Sequence, residues 1–131
     1  MTVETAPHYA KDLYEHLTAL YGVEDSLPGV AADWLAHYPS VNTQRAYARS
    51  FKIFVQYARQ RGIHPLRLRP EHAREFATYL TTLESRAGKQ FSATTRQTML
   101  SAASTFYQHW YLLREDFSTE NPFAAVPRPR S

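Results

Sequence analysis

Two stretches of this chain repeat their apolar residues at the spacing of a single helix face. Tyr47, Phe51, Phe54 and Ala58 follow one another at four, three and four positions, and Met99, Ala103, Phe106, Trp110 and Leu113 at four, three, four and three. A helix turns by about 100° per residue, so such steps gather side chains into one stripe, whereas a half-buried strand needs strict alternation. The sequence contains no alternating run and no internal repeat, which predicts an all-α fold. With 131 residues, 44% of them hydrophobic, the chain can bury one ordinary core but not two large ones.

The remaining elements follow from their stop and start signals. Residues 1 to 7 read as frayed, and a short acidic helix is expected from His8 to Tyr21, with Leu13, Leu17 and Leu20 inward and Gly22 beyond its end. Pro28 and Gly29 punctuate the chain before a second short helix through Ala31, Ala32, Trp34 and Leu35, stopped by Pro39. Ser40, Val41, Asn42 and Thr43 then open a long helix to about Arg61, ended by Gly62. Pro65 and Pro70 bracket an Arg-rich link to a helix over Glu71 to Glu84, which buries Phe76, Leu80 and Leu83 beside Ala73 and Ala77. A last long helix begins at Ser92 and reaches Leu113, with the best amphipathic pattern in the chain. Asn121 and Pro122 start a final turn through Phe123 and Ala124, before the extended tail Pro127, Arg128, Pro129, Arg130. The division expected is an acidic leader over 1–29, a helical domain over 30–126 and the start of a linker over 127–131.

Several kinds of chemistry are excluded by what the chain lacks. It has no cysteine, hence no disulfide, thiolate metal site or cysteine nucleophile. Its six histidines, His8, His16, His37, His64, His72 and His109, form no HExxH or similar ligand grouping. Four glycines leave little material for a phosphate loop, a dinucleotide turn or a nucleophile elbow. Glu71 and Glu75 share a helix face, but at an amino-terminal turn their expected role is to cap and to complement the dipole. The tyrosines within helices, Tyr47, Tyr57, Tyr79, Tyr107 and Tyr111, are expected to pack. No catalytic, cofactor or metal site is therefore expected. No apolar run approaches the roughly 18 residues of a membrane span and no secretory leader opens the chain, so a soluble, cytoplasmic protein is expected.

Charge is distributed unevenly. Residues 1–40 carry Lys11 against Glu4, Asp12, Glu15, Glu24, Asp25 and Asp33, a net −5, while residues 41–131 carry fourteen basic and six acidic residues, a net +8. An aromatic, basic segment behind an acidic leader suggests an anionic partner. Within it, Arg45, Arg49, Lys52, Gln56 and Arg59 fall within roughly 80° of arc, opposite the Tyr47 to Ala58 stripe. Such a ridge can neutralise phosphates or read base edges, and the same spacing equally describes a solvated basic face. The helix opening at Ser92 presents Thr94, Thr95, Arg96, Gln97 and Thr98 at a terminus that favours phosphate, or that is simply a capping region. Farther along, Ser101, Ser104, Thr105 and Gln108 make a neutral polar face.

The run Asn42-Thr43-Gln44-Arg45-Ala46-Tyr47 with Phe51 and Phe54, then Ser92-Ala93-Thr94-Thr95, Leu100-Ser101-Ala102 with Phe106-Tyr107, and the exit Asn121-Pro122 with Val126 and Pro127 resemble the amino-terminal core-binding domain of tyrosine recombinases, the phage integrase family. The resemblance covers roughly residues 30 to 130. It implies a small four- to five-helix bundle of the SAM-like kind, with an additional amino-terminal helix, forming half of a clamp on double-stranded DNA. By position, Thr43, Arg45, Arg49 and Lys52 match the family's first DNA-facing helix, and Thr94, Thr95, Gln97, Thr98 and Ser101 its second. The family's catalytic Arg, Lys, His and Tyr belong to a separate domain, and none is carried onto this chain.

Two departures accompany the resemblance. The second DNA-facing helix often holds several Arg or Lys, whereas Gln97, Thr98 and Ser104 are neutral here and Arg96 lies nearer the packed side. The acidic first helix is also additional, and in the family comparable helices can touch another protomer on the same DNA. The function expected is sequence-specific duplex binding that positions a recombinase for strand exchange, without metal, nucleotide or small-molecule substrate. A stand-alone DNA-binding regulator and a helical protein-interaction module remain alternatives.

Overall fold

A computed structural model describes residues 8–85, 87–116 and 119–129. Its elements are α1 (Tyr9–Tyr21), α2 (Leu27–Ala36), α3 (Val41–Gln60), a 3-10 turn (Pro65–Arg67), α4 (Pro70–Thr82) and α5 (Ala93–Leu113). Among the described residues the only β pairing is the isolated antiparallel bridge Glu84–Gln90, so the fold is all-α. The frayed start expected for residues 1–7, and residues 130 and 131 of the expected linker, lie outside the described residues. No helix among the described residues is long and apolar enough to cross a membrane.

The chain divides into two compact units, residues 1–49 and 50–131. In the first, Leu13 and Leu17 of α1 are fully buried, as are Leu27, Ala31 and Leu35 of α2. Leu20 departs from its expected inward position: in the last turn of α1 it is 37% exposed. Gly22 ends that helix at φ +94, a backbone region open to glycine, and its N–H bonds Thr18 O at 2.8 Å. α2 starts earlier than its punctuation suggested, because Pro28 sits in the first turn, where its missing N–H has no intrahelical partner to lose. Asp25 Oδ1 accepts from Leu27 N at 2.8 Å and so satisfies one of the free amides there. Trp34, 1% exposed, stacks on Tyr47 at 5.8 Å with Tyr38 edge-on to both rings.

The second unit is built on aromatic packing. Phe54 is fully buried with Phe76 at 5.1 Å, Phe123 at 6.0 Å and Tyr107 at 6.1 Å between ring centroids, while Phe51 meets Phe106 at 4.6 Å. Edge-to-face pairs of this kind add about 0.5–1.5 kcal/mol each beyond the burial of area. The Tyr107 hydroxyl donates to the Pro65 carbonyl and holds the 3-10 turn to α5. α4 begins at Pro70, one residue before the expected start, and buries Ala73, Phe76 and Leu80, with Leu83 half-buried just past its end.

α5 is less one-sided than its stripe suggests. Leu100, Ala102, Ser104 and Tyr107 are buried along with Met99, Ala103 and Phe106, so most of its middle is enclosed. Past Tyr107 the cover is lost: Trp110 is half-buried with the Arg114 guanidinium 5.2 Å from its ring, and Leu113 is 51% exposed. Periodicity states which side a residue faces, not how far neighbouring elements extend. After α5, Asn121 Nδ2 donates to Ser104 O at 2.8 Å and Ser104 Oγ at 3.2 Å, and Asn121 Oδ1 accepts from Phe123 N at 2.9 Å. Those bonds seat Phe123, 1% exposed, in the aromatic core.

Candidate nucleic-acid interface

The basic side chains of α3 stand on the side of the helix away from its buried aromatics. In the first unit Arg45 and Arg49 are exposed, and in the second Lys52, Gln56 and Arg59 are exposed, while Phe51, Phe54, Tyr57 and Ala58 are buried. Thr43 is placed differently. At about 100° per residue it lies roughly 160° round the helix from Arg45; it is half-buried, and its N–H bonds Ser40 Oγ at 3.3 Å, so it belongs to the capping turn.

Arg45 is held in place. Its Nε donates to the Tyr9 hydroxyl at 2.9 Å and its Nη1 to Asn42 Oδ1 at 2.9 Å, with the guanidinium carbon 5.9 Å from the centre of the Tyr9 ring. Sequence reasoning missed both partners. Asn42 stands three residues before Arg45, a helical neighbour that spacing could have revealed. Tyr9 is 36 residues away, and no local pattern announces it.

In the second unit α5 opens with a built cap, since Ser92 Oγ accepts from Thr95 N at 3.1 Å. Thr94, Gln97, Thr98 and Ser101 then recur at helical spacing on one side, opposite Met99, Ala103 and Phe106. Thr94 is exposed and the other three are half-buried. Thr98 Oγ1 donates back to Thr94 O at 3.2 Å. Thr95 and Arg96 lie off that face; Arg96 is half-buried and turns its Nε to Phe91 O at 3.4 Å. The face at this helix start is therefore hydroxyl and amide in character, and its free amides carry the favourable end of the helix dipole.

Arg61, just past the end of α3, is paired within the second unit. Arg61 lies over the rings of Tyr57 and Tyr79, at 4.9 and 5.6 Å, and its Nε meets Glu75 Oε2 at 3.4 Å. Glu75 thus has a tertiary role that its position in α4 did not disclose: its Oε1 accepts from the Tyr57 hydroxyl at 2.5 Å. That bond, with Arg61 beside it, holds the Glu75 carboxyl below its ordinary value. Burial, and then the carboxylate, push the Tyr57 hydroxyl well above its own. Glu71 pairs with Arg69 at 3.0 Å, and the backbone bond at the start of α4, followed by Arg69, lowers its carboxyl likewise. His72 Nδ1 accepts from Arg69 N at 3.1 Å, and His72 N donates to the Arg69 carbonyl at 2.9 Å.

The family described as the phage integrase, N-terminal SAM-like domain matches residues 34–116, more than half of the chain. The protein belongs to that family: it carries the DNA-binding, core-binding domain of tyrosine recombinases, which is the non-catalytic region of those enzymes. Among curated proteins and among solved structures nothing matches the chain. The matched stretch includes all of α3, α4 and α5, and with them every residue described above as a candidate for contact, while Tyr9, the partner of Arg45, precedes it.

Proposed function

We propose that this protein binds double-stranded DNA sequence-specifically and positions a site-specific tyrosine recombinase on its target for strand exchange. The observation that carries this reading is the family match over residues 34–116, a stretch that includes both the basic face of α3 and the hydroxyl- and amide-rich start of α5. In this reading Arg45, Arg49, Lys52 and Arg59 neutralise phosphates or read base edges from α3, with Gln56 among them. Thr94, Gln97, Thr98 and Ser101 approach a groove from α5, with Thr43, Thr95 and Arg96 supporting from the capping turns. The neutral face of α5 favours direct hydrogen bonding over phosphate attraction, so salt dependence comes chiefly from α3.

The division that goes with this reading is a leader over 1–29, the binding domain over 30–126 and the beginning of a linker over 127–131. The catalytic domain is separate, the protein acts in the cytoplasm, and further protomers assemble on the same DNA. The test is selection of bound duplexes from a random pool at two salt concentrations, repeated with Arg49→Ala and Lys52→Ala. A recovered motif, with affinity that falls as salt rises and less steeply in the variants, supports the reading. Absence of duplex binding at low salt overturns it.

A further inference from the structure

The strongest feature outside the family-matched stretch is Tyr9, the first residue of α1. Its hydroxyl accepts from Arg45 Nε at 2.9 Å, and Asn42 Oδ1 takes a second N–H of the same guanidinium at 2.9 Å. Arg45 is exposed, yet it is fixed from two sides within one compact unit. A long arginine on a helix surface otherwise samples many rotamers, and ordering it at the moment of binding costs conformational entropy. The two bonds leave the rest of the planar fork available to an outside acceptor.

We propose that Tyr9 is a positioning residue for DNA recognition, setting the direction in which Arg45 presents its guanidinium and thereby controlling base discrimination rather than overall attraction. The inference rests on the duplex-binding reading above. Attraction to phosphate depends on the charge, which Arg45 keeps whether or not Tyr9 holds it. Bidentate reading of a base edge depends on orientation, which the Tyr9 bond supplies. An element that precedes the family-matched residues therefore tunes specificity inside them.

The test uses the whole chain with Tyr9→Phe, which removes the hydroxyl acceptor and keeps the ring. Affinity is measured by titration for the duplex selected by the unaltered protein and for a random-sequence duplex, across a salt series, and again in the Arg45→Ala and doubly substituted chains. The expected result is a selected-to-random affinity ratio reduced by about tenfold in Tyr9→Phe, with random-duplex affinity and the salt slope unchanged. In the Arg45→Ala background the same substitution is expected to have no further effect. An unchanged ratio, an equal loss on both duplexes, a gain in affinity, or additive effects with Arg45→Ala would each overturn the proposal while leaving duplex binding intact. Failure of the unaltered chain to bind either duplex would overturn the functional reading itself and this inference with it.

Discussion

The buried ring of Tyr57 carries its hydroxyl to Glu75 Oε1 at 2.5 Å, joining α3 to α4 through a neutral phenol and an ionised carboxylate. The bond favours one protonation state of each partner, and both choices have consequences for stability as pH changes.

For Glu75 the folded-state value lies below the ordinary 4.5, so its contribution is present above that pH and is lost as pH falls through the lowered value. For Tyr57 the folded-state value lies above the ordinary 10.0, so its contribution is complete below that pH and is lost as pH rises toward the raised value. Tyr57→Phe is expected to weaken both the acid and the alkaline dependence. Chemical denaturation from pH 3 to pH 11, in steps, checks it; pH dependence unchanged from the parent chain at both ends would contradict the expectation.

Phe54 touches Phe76, Tyr107 and Phe123 at once, and it is fully buried. Phe54→Ala is expected to cost about 3–5 kcal/mol of folding stability through lost transfer energy and the cavity left behind. The urea midpoint should fall with little change in slope.

Ser92→Ala removes the acceptor for Thr95 N at the start of α5. The expected loss is about 1 kcal/mol, whereas Ser92→Asp should retain most of it because Asp caps equally well. Thermal unfolding of the three proteins side by side distinguishes a capping role from a general effect of the position.

Replacing Arg49 and Lys52 together by alanine is expected to flatten the dependence of log affinity on log salt by about 0.9 for each phosphate contact removed. Replacing Arg96 is expected to change that slope little, since its Nε faces Phe91 O. Titrations of one duplex at several salt concentrations give both slopes. Equal flattening by Arg96→Ala would show that the guanidinium leaves its backbone partner when DNA is present.

Much of the fold was legible because α3 and α5 announce themselves by spacing and α5 by its Ser92 cap, and these local signals survived into the structure. The exposed face of α3 followed from the same arithmetic, as did the position of Arg96 on the packed side. What escaped is whatever depends on a distant partner. Leu20 and Leu113 have the right phase but lie at helix ends where cover runs out. Glu75 reads as a charge suited to a helix start until Tyr57, eighteen residues earlier, is brought to it. The Tyr9 hydroxyl beside Arg45 is of the same kind, a contact made by packing and carried by no motif.

The paired bonds from Asn121 to Ser104, with Phe123 seated beyond them, act mechanically as a clip. Any segment joined after Val126 swings from Val126 rather than from the end of α5 at Leu113. At about 3.3–3.6 Å per extended residue, fastening that stretch removes up to roughly 45 Å of reach. Between such a segment and α5 lie the buried Val126 and Phe123 side chains and the Asn121 amide. Asn121→Ala removes the bonds to Ser104 and leaves Phe123 and Val126 to hold the exit by burial alone, without altering the basic face of α3.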